Sequence, residues 1–205
     1  MTRINRWFDD FDEATKDAYQ WFGHFISFYA SVEGQCHVLF RRYAGVPEPV
    51  ARAISGGMRL ADLLPILSVV IEKSNMATER KQDFTDCLEQ LKHLTALRHR
   101  LVHRGFEQIP GVISDGMGEF SSTNVLTAKA RESIEILRFK LDDIQAAAKD
   151  SLRIYTRMQF ITIDVPTDKF RRMLSKEFEE AVYGPWSYKP VQPSKPNQEH
   201  RNTRQ

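Results

Sequence analysis

The sequence predicts an all-α protein: a bundle of long antiparallel helices with a small hairpin or loop inserted near its middle. Three observations carry that expectation. Apolar residues recur at helical spacing through three long stretches, 12–43, 78–103 and 127–155. No proline interrupts any of them, whereas Pro47, Pro49, Pro110 and Pro166 fall between or after them. At 205 residues, 41% of them hydrophobic, the chain is long enough to bury one core without disulfides or metal.

The first helix is expected from about Asp12 to Tyr43. Phe11, Ala14, Ala18, Phe22, Phe25, Ile26, Tyr29, Val32, Cys36, Leu39, Phe40 and Tyr43 fall at core spacings, and Gly45, Pro47 and Pro49 stop it. Pro49 to Ile54 reads as a short helix closed by Ser55-Gly56-Gly57, which lacks the strand and the Gly-Lys-Ser/Thr ending of a phosphate cradle. Leu60 to Lys73 reads as another, with Pro65 tolerated near its first turns. A long helix then runs from Thr78, capped by that residue or by Asn75, to about His103. Between Gly105 and Thr127 glycines and Pro110 punctuate short apolar pairs. Ser114-Asp115-Gly116 is a turn signal there, so a hairpin or ordered loop is expected.

Thr127 is expected to cap the next long helix, with Ile134, Leu137, Leu141, Ile144, Ala148, Leu152 and Tyr155 on one face. A shorter amphipathic piece, Lys169 to Val182, ends at Gly184-Pro185. From there Pro190, Pro193 and Pro196 alternate with Lys, Gln, Asn and Arg, which reads as a disordered tail with nothing to bury. The organisation expected is therefore one helical domain, 1–183, and a tail, 184–205.

Composition narrows the class of protein but not its chemistry. The formal charge is +2, from 29 basic and 27 acidic residues interspersed along the chain, so any polyanion site has to be local. Cys36 and Cys87 lie inside apolar helical patterns and read as small buried hydrophobes of a reducing compartment. The N-terminus has no signal-peptide run, and Leu60 to Ile71 is too short to span a bilayer. A soluble, cytoplasmic protein without membrane partners is expected.

The chemistry gathers in Leu97-Arg98-His99-Arg100-Leu101-Val102-His103-Arg104-Gly105, where a helix runs into a glycine. Arg98 lies on the line joining Leu91 and Leu94 to Leu101, so its guanidinium faces a core or an interface. There it needs an anion, a hydrogen-bonded niche or a ligand phosphate. His99 and His103 are four apart and share a face. Gly105 stands where a left-handed cap is expected, which places His103 at a helix C-terminus, where the dipole favours the imidazolium.

Three readings of this turn stand side by side. Dipole complementarity alone places Arg and His at helix ends. An H-x3-H pair can ligate a metal, but two ligands are incomplete and Arg98, Arg100 and Arg104 repel a cation, so no metal and no cofactor are expected. The third is RNA cleavage without metal, which needs a base for the 2′-hydroxyl, an acid for the leaving oxygen and a cation for the phosphorane. His103 would be the acid/base, Arg98 would hold the phosphate, His99 would orient, and Arg100 and Arg104 would steer the substrate. A second copy across a two-fold axis would complete the set. Glu33, the carboxylate of the aromatic half of the first helix, is either a solvated position or a partner for a buried arginine such as Arg98.

Arg98-His99-Arg100-Leu101-Val102-His103, ending a helix before Arg104-Gly105, resembles the R-x4-6-H signature of the HEPN superfamily, in which a polar residue follows the arginine. The order of a long helix, a motif helix and a further long helix is similar too, over roughly Asp12 to Met158. The resemblance implies a helical bundle that dimerises with its motifs facing each other. It also implies a metal-independent endoribonuclease that leaves a cyclic phosphate and a 5′-hydroxyl. Arg98 and His103 would be catalytic, His99 would take the supporting position, and Glu33 would match an acidic residue of some members' first helix. Many members serve in toxin–antitoxin, anti-phage or stress systems, under an antitoxin or another regulatory protein. Others are inactive interaction or nucleotide-binding modules.

Overall fold

The structure is a computed structural model that describes residues 12–114, 117–124, 134–163, 172 and 175–193. Within these residues the order is α1 (Glu13–Tyr43), α2 (Glu48–Ser55), α3 (Leu60–Lys73), α4 (Thr78–Arg104), β1 (Glu107–Ser114), β2 (Met117–Thr123), β3 (Ile136–Lys140), α5 (Leu141–Thr162) and α6 (Lys176–Tyr183). The chain is mostly helical, with a three-stranded antiparallel sheet in the order β1-β2-β3.

The Asp12 carboxylate accepts the Thr15 N–H at 2.7 Å and so starts α1. Gly45, at φ +69°, follows its last turn. Phe25, Val32, Cys36 and Leu39 are fully buried on one face, against Ile144, Ala148, Ile154 and Met158 of α5. Gln35 Nε2 donates to Thr162 Oγ1 at 2.7 Å and the Tyr43 hydroxyl donates to the Ile161 carbonyl at 3.2 Å, tying the ends of the two helices. α4 runs back against both, joined to α1 by the 2.9 Å bond between Tyr29 and Thr95 hydroxyls and to α5 by Gln90 on Asp150 at 2.8 Å. Successive long helices are thus antiparallel, and α1 and α5 run the same way. Burial of Cys36 pushes its thiol up to about 12, and Cys87 is raised by the same cause; neither is in a disulfide.

The sheet closes the end of the bundle where α4 stops. Ser114 pairs with Met117 across the expected hairpin turn, and Phe120 pairs with Phe139. Phe106 packs edge-on to both of those rings, at 5.8 and 5.7 Å, and reaches Tyr19 and Phe22 of α1 at 5.0 and 5.4 Å. One aromatic cluster therefore fixes the residue that follows the end of α4.

Three expectations are corrected. The helix after the hairpin starts at Leu141, not Thr127; residues 125–133, with Arg131 and Glu132, lie outside the described residues. Ile136–Lys140 is a strand because Leu137 and Phe139 turn inward while Arg138 and Lys140 face out. That is period two, and a helical stripe drawn through Leu137 and Leu141 conceals it. The first turn of α4 has no side-chain cap; Ala77 occupies the capping position.

The tail, too, differs from the disordered segment expected. Residues 185–193 are anchored by one side chain: Tyr188 is 4% exposed and joins the core, with Trp186 and Val191 packed beside it, while Pro185, Ser187, Lys189, Pro190 and Gln192 are exposed. Asp150, fully buried, accepts the backbone N–H of Ser187 at 3.0 Å and of Tyr188 at 2.8 Å, along with the Gln90 amide. Arg157 lies between the rings of Tyr183 and Trp186, 5.0 and 4.4 Å from their centroids, and donates to the Val182 carbonyl at 2.9 Å. Buried acceptors on α5 pin this segment, a form of burial that proline-rich composition conceals. Residues 194–205 lie outside the described residues, as does Phe11. No described helix is long and apolar enough to cross a membrane.

Candidate functional site

The site grows out of the last two turns of α4. Leu94, Leu97 and Leu101 are buried and set the inward direction. Seen from there, Arg98 lies on the flank towards α1, Arg100 and Arg104 lie on the flank towards β3, and His99, Val102 and His103 face outward. Helical geometry sorts the motif into three directions. Gly105 ends the helix at φ +67° and ψ −174°, and its N–H still bonds the Leu101 carbonyl at 3.1 Å. This is not the left-handed cap expected; it is an extended mirror-image conformation open in practice only to glycine.

Arg98 is half-buried. Its guanidinium carbon stands 5.8 Å from the centroid of the Tyr29 ring, whose hydroxyl is shared with Thr95. Burial pushes the Tyr29 phenol up, and Glu33 acts in the same direction while Arg98 opposes it. Arg98 and Glu33 thus share Tyr29 as a neighbour, yet among the described residues no ion pair joins them. Tyr29 reads from sequence as plain core, and only the fold makes it the surface on which Arg98 rests.

The His99 and His103 rings are 4.6 Å apart between centroids, tilted by 54°, and both are exposed. Partial burial of its ring lowers the His99 pKa, reinforced by His103, Arg104, Arg98 and Arg100 in that order. Among the described residues, no group of three or more His, Cys, Asp or Glu side chains is placed to hold a metal ion. His24 packs against Trp21 and Phe28, and His37 and His93 stay on the helices where the sequence places them.

Arg100 and Arg104 are both engaged within the chain. Arg100 Nη2 is 3.4 Å and Arg104 Nη1 is 3.7 Å from the same Glu135 oxygen, which sits just ahead of β3. With side-chain exposures of 22% and 20% they lean away from the histidine face, and Arg100 borders a cavity of about 220 Å³ shared with Leu97, Leu137 and Tyr188. Glu135 is invisible to spacing arguments, since it is 31 residues beyond Arg104 and reaches it only through the sheet. The structure therefore brings His99 and His103 together with Arg98 on their flank. It sets Arg100 and Arg104 apart and leaves Glu33 on α1, beside Tyr29.

Comparison with family models, with curated proteins and with solved structures finds no match to this chain.

Proposed function

We propose that the chain is a HEPN-like, metal-independent endoribonuclease that works as a homodimer. One observation supports this above the others: Arg98 rests on an aromatic face with no carboxylate bonded to it among the described residues, beside two exposed imidazoles. A structural arginine at that depth normally carries an anion of its own. One that keeps its fork of donors free suits a phosphate. In this reading Arg98 holds the scissile phosphate and stabilises the phosphorane, His103 is the acid/base, and His99 supports it. Arg100 and Arg104, half-neutralised by Glu135, contribute field rather than contacts. The exposed apolar side chain of Val102, between the histidines and Arg98, suits a face covered by a second copy. The setting we propose, phage defence, toxin–antitoxin control or stress response with an antitoxin or other regulator, is carried by the motif resemblance alone.

A groove of about 480 Å³ favours a second reading. It lies between α3 and α4, lined by Leu64, Pro65, Leu88 and Thr95, and Ile66 and Val69 are exposed on α3. That surface suits a non-catalytic interaction or nucleotide-binding module. Expression separates the two. The enzyme arrests growth and His103→Ala relieves the arrest, whereas a module is tolerated equally in both forms. Light scattering at micromolar concentration should show a dimer; a strict monomer contradicts the proposed assembly.

A further inference from the structure

We propose that His99 and His103 of a single protomer form a complete acid–base pair, His99 accepting the 2′-hydroxyl proton and His103 protonating the leaving 5′-oxygen. This rests on the ribonuclease reading above. It gives His99 a catalytic role where the motif resemblance implies only support, and it places both proton transfers on one helical turn instead of dividing them across a two-fold axis.

The geometry carries it. Both rings stand on the exposed face of one turn, 4.6 Å apart, with no other side chain of α4 between them. Rings so close let a charge on His103 oppose one on His99, an arrangement that suits one base beside one acid. Among the described residues the charged groups acting on His99 are His103, Arg104, Arg98 and Arg100, all from α4 and all opposing a charge on it, in addition to the partial burial of its ring. On the strand side Glu135 is engaged by Arg100 and Arg104, and on α1 Glu33 faces Tyr29. His99 is thus the neutral member, able to accept. His103, one turn nearer the end of α4, is left to act as the donor. Arg98, close enough to act on His99, supplies the cation for the phosphorane.

The step balances without any further reactant. His99 takes the proton from the 2′-hydroxyl, and the 2′-oxygen bonds to phosphorus. The bond from phosphorus to the 5′-oxygen breaks, and that oxygen takes the proton of His103. The products are a 2′,3′-cyclic phosphate and a 5′-hydroxyl, and the two histidines exchange their protons with water before the next turnover.

Complementation tests it. His99→Ala and His103→Ala should each slow cleavage of an oligoribonucleotide about 10²- to 10⁴-fold, the range for loss of a general acid or base. Mixed and re-equilibrated, they should restore nothing, because every protomer lacks one member. His99→Gln, which hydrogen-bonds but cannot take a proton, should be as slow as the alanine form. Recovery on mixing towards about a quarter of the wild-type rate, one intact site in each mixed dimer, would place the two histidines of each site on opposite protomers. A near-wild-type rate for His99→Gln would leave His99 only a positioning residue. Either result overturns the single-protomer pair while the ribonuclease reading stands. Intact RNA with wild-type protein overturns both, and it is seen before any variant is made. His99 and His103 are exposed, so circular dichroism should show all three variants folded.

Discussion

His99 and His103 face each other at 4.6 Å on the outer side of the helix that carries them, and a charge on His103 opposes one on His99. Folding therefore favours neutral His99. A histidine whose folded pKa lies below its unfolded value binds fewer protons in the native state than in the unfolded chain. Stability accordingly rises with pH across that interval and is lost as pH falls from about 6.5 through the lowered value. NMR titration should show His99 with a midpoint below that of an unstructured histidine, and His103→Ala should move it upward. A His99 midpoint unchanged by His103→Ala would mean that the rings do not sense each other.

Gly105 fixes where the motif helix stops. At φ +67° and ψ −174° an alanine methyl meets nothing within 4 Å, so the cost of Gly105→Ala is conformational only. Residues forced into such regions cost about 1–3 kcal/mol, and urea unfolding should show a loss of that size. A loss under about 0.5 kcal/mol would mean that the turn relaxes to another conformation.

Glu135 ties two arginines of the motif helix to the strand side. The pairs are long and partly solvated, at 3.4 and 3.7 Å, so Glu135→Gln should change stability by no more than about 1 kcal/mol. It should also release positive charge, giving tighter RNA binding with a steeper salt dependence. Fluorescence anisotropy across a salt series measures this; an unchanged slope would show that the arginines lie beyond the path of the RNA.

Asp150 holds the segment 185–193 through two backbone N–H groups and the Gln90 amide. Asp150→Ala takes the acceptor from the Ser187 and Tyr188 N–H groups, while the Gln90 amide keeps its bond to the Tyr188 carbonyl at 3.1 Å; the loss should cost about 2 kcal/mol and loosen Tyr188 from the core. Limited proteolysis should then cut the chain between Gly184 and Pro193; a variant as resistant as wild type would mean that packing alone holds the segment.

Helices with one dominant apolar stripe were legible in the sequence. Phe25, Val32, Cys36 and Leu39 announce α1, and Leu91, Leu94 and Leu101 announce α4, because burial on one side imposes a 3.6-residue period. The hairpin was legible from Ser114-Asp115-Gly116. β3 was not, since Leu137 and Leu141 fit a helical stripe as readily as Leu137 and Phe139 fit a strand, and five residues are too few for one period to prevail. The burial of Tyr188 was hidden for a different reason. Its acceptor, Asp150, lies 38 residues away on another helix, and no local pattern records such a contact. At the site, the sequence placed His99 and His103 on one face and Arg98 on an inward flank. The aromatic rest at Tyr29 and the tether at Glu135 required the fold.

The proposed ribonuclease stands on Arg98 and His103 together. Purified wild type and the Arg98→Ala/His103→Ala double variant should be incubated with total RNA and with tRNA in EDTA. Cleavage by the wild type alone, with 2′,3′-cyclic phosphate and 5′-hydroxyl ends, is the expected result. Intact RNA in both samples, from protein shown to be folded and dimeric, would contradict it and make Arg98 a structural charge resting on Tyr29.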